Sequence, residues 1–115
     1  MKYVCLIYQD EVMLQKLPKE EMGKLTEEYK AFQEAVQKKG QYVTSQGLAP
    51  THTATTVRVR DGKTLTTDGP FAETHEQLGG FSVLECKDLD EAIRWAEKIP
   101  TAKYGSIEIR PLWSP

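Results

Sequence analysis

Apolar and polar positions recur along the chain with two different periods, and these periods predict its secondary structure. Residues Tyr3 to Tyr8 form a short, almost continuous apolar run, which is typical of a central strand covered on both faces. After the polar stretch 9–16, a helix is predicted from Pro18 to near Gly40, because apolar residues recur there at steps of three and four. This apolar stripe consists of Met22, Leu25, Tyr29, Phe32 and Val36.

The remainder of the chain predicts further strands, two of which form a hairpin. The predicted strands are Gln41–Leu48, Thr55–Arg60, Lys63–Thr67, Phe81–Cys86 and Gly105–Leu112. Asp61-Gly62 suits a two-residue type I′ turn between the two hairpin strands, because both residues tolerate positive φ. Gly79-Gly80 is predicted to let the chain turn tightly into its next strand.

A second helix is predicted to begin at Asp88 and to end at Pro100. Glu91 follows Asp88 by three residues, which is the spacing of a capping box. The predicted buried face of this helix consists of Leu89, Ala92, Ile93, Ala96 and Ile99.

The order of these elements predicts an α+β fold of the ferredoxin-like split βαβ type, with a β-hairpin inserted before the third core strand. Both helices would cover one face of the sheet and leave the other face bare. Because an uncovered sheet face is normally hidden, we expect two copies to pair face to face around a two-fold axis and enclose a barrel-like cavity. The length of 115 residues predicts a single domain, residues 1–115.

Composition narrows the classes of function. The chain has 15 basic and 17 acidic residues with no block of one sign, so we expect no nucleic-acid surface. Met1 to Tyr8 is too short for a signal-peptide core and no later stretch approaches membrane-spanning length, so we expect a cytoplasmic protein without membrane contact. Cys5 and Cys86 are predicted to be buried free thiols. No P-loop, H-E-x-x-H or G-x-G-x-x-G motif is present, and we expect neither a cofactor nor a metal site.

The segment from Thr67 to Phe81 holds the candidate catalytic residues. Asp68 would be a general base if it faced an enclosed cavity, because desolvation makes a carboxylate a stronger base. Alternatively, it accepts backbone N–H hydrogen bonds and shapes its turn without any chemistry. His75 is the candidate partner for proton transfer, and His52 is a candidate ligand contact. Taken alone, each histidine is more often a solvated loop residue than a catalyst.

Two arginines are candidate ligand-binding residues. Arg58 and Arg60 leave the same face of their strand, and there they would bind a carboxylate or phosphate if that face lined the cavity. The alternatives are a solvated hairpin face, or an ion pair between subunits with Glu73 or Glu76. Glu73 is also a candidate residue of the ligand site.

The same segment resembles the signature of a known family. The run Asp68-Gly69-Pro70-Phe71, followed by Ala72-Glu73 and Glu76 to Phe81, is similar to that of the DGPF group within the YCII-related family. The opening MKYVCLIY and residues 54–58, 88–92 and 108–112 fit as well. The resemblance implies a dimeric α+β barrel but no single activity, and some members of the group are encoded beside or fused to sigma-factor-like proteins.

The resemblance also bears on the candidate residues. In other branches of the family, a histidine from the first helix region and an aspartate near a Gly-Pro turn are proposed as a catalytic pair. The predicted first helix of this chain contains no histidine. The DGPF pattern usually has lysine or arginine where this chain has His75, so either a base replaces a cation or the position tolerates both.

Three hypotheses follow for the function. The first is a small-molecule enzyme that uses Asp68 and His75 for acid and base chemistry in a cavity at the dimer interface. The second is a non-catalytic ligand-binding or regulatory dimer, with a link to a sigma-factor-like partner that the resemblance implies. The third is a structural dimer whose central motif only builds the fold.

Overall fold

In residues 1–114, which the computed structural model describes, strands and helices follow the predicted order apart from one additional short helix. The strands are β1 (Lys2–Gln9), β2 (Tyr42–Gly47), β3 (Thr55–Arg60), β4 (Lys63–Asp68), β5 (Gln77–Glu85) and β6 (Ser106–Pro111). The α-helices are α1 (Glu11–Gln15), α2 (Lys19–Lys38) and α3 (Leu89–Ala96), and short 3₁₀ turns span Thr51–Thr53 and Pro100–Lys103. No helix in this part of the chain is long and apolar enough to cross a membrane.

The strands form two separate sheets. Four of them make an antiparallel sheet in the order β2-β5-β1-β6, while β3 and β4 pair only with each other. The two central strands, β1 and β5, are therefore far apart in sequence, as the ferredoxin-like plan requires. The predicted α+β class and the inserted hairpin are confirmed, and the dimeric barrel stays a prediction.

Both long helices pack on one face of the four-stranded sheet. Along β1, the buried residues Tyr3, Cys5 and Ile7 alternate with half-exposed residues, as expected for a strand with one face in the core. The core cluster consists of Tyr3, Cys5, Ile7, Phe32, Val36, Leu84, Cys86, Ala92, Trp95, Ala96 and Ile99. The predicted buried free thiols are confirmed. Burial raises the pKa of Cys5 to about 11 and also raises the pKa of Cys86.

The predicted stripe of α2 enters the core only at its C-terminal end. Phe32 and Val36 are buried, Leu25 and Tyr29 are half-buried, and Met22 is exposed. The N-terminal half of the helix lies over a cavity, described below, and this cavity leaves its apolar residues partly uncovered.

The predicted buried face of α3 is partly wrong. Leu89 and Ile93 are exposed, and Trp95, which the prediction omitted, is only 8% exposed. The indole of Trp95 packs edge-on against Phe32 and its Nε1–H donates a hydrogen bond to Gln41 at 3.1 Å. Because this large side chain is buried, the buried face of the helix lies on a different side from the face that the aliphatic residues alone predict.

Asp88 caps α3 as predicted, and its side chain accepts a hydrogen bond from the backbone N–H of Glu91 at 2.9 Å. We expect Asp88→Ala to lower the free energy of unfolding by about 1 kcal/mol, because that N–H would lose its partner. Asp90→Ala in the same helical turn is the matched control and should cost less. Urea unfolding of both variants measures the difference, and equal losses would contradict this role of Asp88.

The short helix α1 was not predicted. Asp10 caps it by accepting a hydrogen bond from the backbone N–H of Val12 at 3.0 Å. The Glu11 carboxylate accepts hydrogen bonds from Thr51 N–H at 2.9 Å and from its hydroxyl at 2.7 Å, and the Glu11 N–H donates to Gln77 at 2.9 Å. So short a helix depends on these distant partners as well as on its cap, and periodicity does not reveal them.

Candidate functional site

The face of the main sheet opposite the helices is apolar at its centre. It is called the helix-free face here and consists of Val4, Leu6, Tyr8, Leu78, Phe81 and Val83, which face each other in the pairs 4–83, 6–81 and 8–78. Around them lies a polar rim formed by Thr44, Gln46, Ser106, Glu108 and Arg110. Arg110 forms an ion pair with Glu108 at 2.8 Å. An apolar centre within a polar rim is the usual composition of a protein interface.

The hairpin of β3 and β4 has both of its faces exposed. Asp61 (φ 51°) and Gly62 (φ 73°) form its turn, and these positive φ angles agree with the predicted type I′ turn. Val57 and Val59 are 60% and 59% exposed. An isolated two-stranded hairpin is only marginally stable in water, so this element is incomplete as a free arm.

The register of the hairpin separates the predicted site residues. Asp68 lies opposite Thr55 at the base of the hairpin, and Arg58 lies opposite Leu65 nearer its tip. Directly opposite residues share a face and successive residues alternate, so Asp68 and the two arginines, Arg58 and Arg60, point to opposite faces of the hairpin. Within one chain, the hairpin therefore does not bring these groups together.

The loop 69–76 links the hairpin to β5 and lies beside the helix-free face. Gly69 anchors its start, because its N–H donates to Ala54 at 2.7 Å and its carbonyl accepts from the Thr56 hydroxyl at 2.8 Å. Gln77 anchors its end by donating to the carbonyl of Thr74 at 2.6 Å. The positive φ of 99° at Gly69 explains why glycine occupies this turn.

A cavity of about 290 Å³ lies between this loop and the helix-free face; we call it the loop cavity. Tyr8 and Leu78 line it from the sheet, and Pro70, Phe71 and Ala72 line it from the loop. Phe71 is 78% exposed, so much of its ring is left in water at the edge of the cavity. The motif residues thus build one wall of an open apolar cavity.

The ionisable candidates lie around this cavity without lining it. Asp68 precedes the loop, Glu73 and His75 lie on it, and His52 lies in the adjacent 3₁₀ turn; all four are exposed, as are both arginines. In residues 1–114, the Asp68 carboxylate accepts no hydrogen bond, so backbone contacts of Gly69 rather than this side chain hold the turn. In the single chain, all of these groups are therefore in contact with water.

A larger cavity of about 350 Å³ lies on the other face of the sheet, beneath residues 22–33 of α2; we call it the helix-side cavity. Sequence reasoning missed it. The Gly79-Gly80 pair, predicted as a turn, lies inside β5 and lines this cavity. The predicted turn is wrong because a bulge occurs where β1 pairs with β5. The strand therefore continues through the glycines instead of turning at them.

The described residues offer no metal centre, since no three His, Cys, Asp or Glu side chains among residues 1–114 cluster to hold an ion. The free cysteines are buried in the core, and the two histidines lie in different loops. The ionisable candidates close in the sequence to the loop cavity are carboxylates and imidazoles, while Arg58 and Arg60 lie farther along the hairpin.

Comparison with known proteins agrees with this architecture. A family model described as the YCII-related domain matches residues 1–114. An uncharacterized protein of Rhizobium meliloti (strain 1021) is 40% identical over 114 residues, covering 97% of this chain and 92% of that protein.

Proposed function

This chain belongs to the YCII-related domain family, and we propose that it binds a small anionic molecule at its helix-free face, in a site that a second copy completes. The observation that carries this proposal is the loop cavity, whose apolar walls are close in the sequence to the exposed residues His52, Asp68 and His75. Neutral walls bind and orient a ligand, while the arginines supply charge for a carboxylate.

The surface of the single chain supports a second copy. Its accessible surface is 8275 Å², about 1,900 Å² more than the roughly 6,300 Å² typical of a compact monomer of its mass. The radius of gyration is 16.2 Å, against about 13 Å for a compact domain of this length. An ordinary interface buries about 800 Å² on each partner, so the excess is large enough for a stable dimer.

Face-to-face pairing would complete the site in a simple way. The apolar centre of each helix-free face would be covered, and each hairpin would lie against the other copy instead of standing in water. Arg58 and Arg60 point away from Asp68 on their own hairpin, so in the dimer the arginines of one chain would meet the loop cavity of the other. The shared site would then combine the arginine charges of one copy with the apolar cavity walls of its partner.

A benzoate titration of the wild-type protein, followed by NMR, tests this proposal. We expect amide shifts at Tyr8, Phe71 and Leu78, and roughly tenfold weaker binding in Arg58→Ala, because a charge-assisted hydrogen bond is lost. Arg94→Ala, an exposed arginine on α3, is the matched control and should bind as wild type does. Benzoate binding that is equally weakened by both substitutions would overturn the proposed site.

A small-molecule enzyme is the second candidate. It is favoured by the position of Asp68 just before the loop that forms one wall of the cavity, and of His75 near the end of that loop. In a closed dimer, these groups would lose water, and proton transfer to a bound ligand would become efficient. We expect Asp68→Asn to abolish any conversion of metabolites from a cell extract, measured by mass spectrometry, while benzoate binding persists. Asp61→Asn at the hairpin turn is the control and should leave conversion intact. Unchanged conversion in Asp68→Asn would exclude Asp68 as the base.

A further inference from the structure

Several small residues line the sheet side of the helix-side cavity. They are Ser45, Gly79, Gly80 and Ser82, and larger side chains such as Ile7 and Tyr42 complete the lining from the sheet. Protein interiors are normally packed without voids larger than a water molecule. A cavity of about 350 Å³ is within the size range of small-molecule sites.

The side chains that line this cavity disfavour a charged ligand. Aliphatic and aromatic side chains from α1 and α2 dominate them, among them Leu14, Leu25 and Phe32. No carboxylate, imidazole, guanidinium or thiol lines the cavity, and its one charged lining residue is Lys30, which is exposed. A cationic ligand would therefore lose its water without gaining a partner.

The tyrosine hydroxyls on the walls already have partners. The Tyr42 hydroxyl shares a hydrogen bond with Ser45 at 2.8 Å, and the Tyr29 hydroxyl shares one with Thr101. Burial raises the pKa of Tyr29, so its phenol stays neutral at physiological pH. These hydroxyls add polarity to the wall but leave few free donors.

Gln9 is the half-buried amide on the walls, whereas Gln33 and Gln46 are exposed. Its Oε1 accepts a hydrogen bond from the Thr101 hydroxyl at 3.4 Å, while its Nε2 donates none within residues 1–114. A Cβ built on Gly79 would lie 2.6 Å from that Nε2, so the missing side chain is what leaves room for the amide. The Gln9 side chain thus lies against the bare backbone of β5, with an unused N–H donor at the cavity.

We propose that the helix-side cavity is a second ligand site, which binds a neutral, mainly apolar small molecule whose oxygen accepts a hydrogen bond from Gln9 Nε2. This site lies within one chain and on the opposite face of the sheet from the proposed anion site. It needs no second copy. Its ligand class also differs, because the anion site depends on arginine and this one on a neutral amide.

NMR titrations of the full chain with three probes of similar shape test the site. They are acetophenone, with a carbonyl acceptor; α-methylstyrene, in which a CH₂ group replaces that oxygen; and the 1-phenylethylammonium cation. We expect acetophenone to shift the amides of Gln9, Tyr29 and Gly79, and the cation to leave them unchanged. Acetophenone shifts confined to the helix-free face, or equal binding of the cation, would overturn the proposal.

Three variants then test the roles of the residues. Gln9→Met keeps the shape of the side chain and removes the donor, so the affinity of acetophenone relative to α-methylstyrene should fall roughly fivefold. Leu25→Trp should fill the cavity and reduce acetophenone binding at least tenfold, while Leu89→Trp on the exposed side of α3 should not. Circular dichroism checks that each variant is folded. An unchanged relative affinity in Gln9→Met, or full binding by folded Leu25→Trp, would contradict the assignment.

Discussion

Trp95→Ala is expected to lower the free energy of unfolding by about 3–5 kcal/mol, a large fraction of the stability of a small domain. The indole is almost fully buried, packs edge-on against Phe32 with ring centroids 6.1 Å apart, and donates to Gln41. Removing it would open a cavity between α2, α3 and the sheet and leave the Gln41 carbonyl oxygen without that donor. Urea unfolding followed by far-ultraviolet circular dichroism measures the loss.

Trp113→Ala is the matched control, because the same residue type is 87% exposed there. We expect it to change the free energy of unfolding by less than about 0.5 kcal/mol at the same protein concentration. A loss below about 1 kcal/mol for Trp95→Ala, or similar losses for both variants, would mean that the helix layer packs differently on the sheet.

Leu6→Lys is expected to weaken the proposed dimer roughly 100-fold or more. Leu6 lies at the centre of the helix-free face, and a two-fold interface would bury the new ammonium group twice. The single chain should tolerate the substitution, because Leu6 is half-buried and lies opposite Glu108 in the sheet. Sedimentation velocity across a range of concentrations measures the change in self-association.

Ile93→Lys is the control for added charge, since Ile93 is exposed on α3. It should leave self-association as in the wild type. If Leu6→Lys is folded and associates as tightly as the wild type, the helix-free face is not the surface between copies.

The secondary structure was predictable where the local sequence pattern is compatible with only one kind of element. The apolar run at β1, the stripe of α2 and the Asp61-Gly62 turn each indicated the correct element, and the order of elements indicated the sheet. The wrong or missing predictions concern elements whose structure depends on contacts between residues far apart in the sequence. The short helix α1 depends on Thr51 and Gln77, and the buried face of α3 depends on a tryptophan that bonds to Gln41.

The candidate sites were less predictable than the fold. The motif at Asp68 to Phe71 leads into a loop that forms one wall of a cavity. This cavity is lined by Pro70 and Phe71 rather than by ionisable residues. The helix-side cavity is built from small residues on different strands. Their proximity follows from strand register, which single-sequence patterns do not specify well.

The most direct test of the central claim, that a second copy covers the helix-free face, is an isotope-filtered NMR experiment on a mixture of labelled and unlabelled wild-type protein. We predict intermolecular nuclear Overhauser effects that connect the methyl groups of Leu6, Leu78 and Leu65 with the other copy, in a particle of about twice 13.0 kDa. Intermolecular contacts only from α2 or α3, or a particle of 13.0 kDa with none, would contradict that claim.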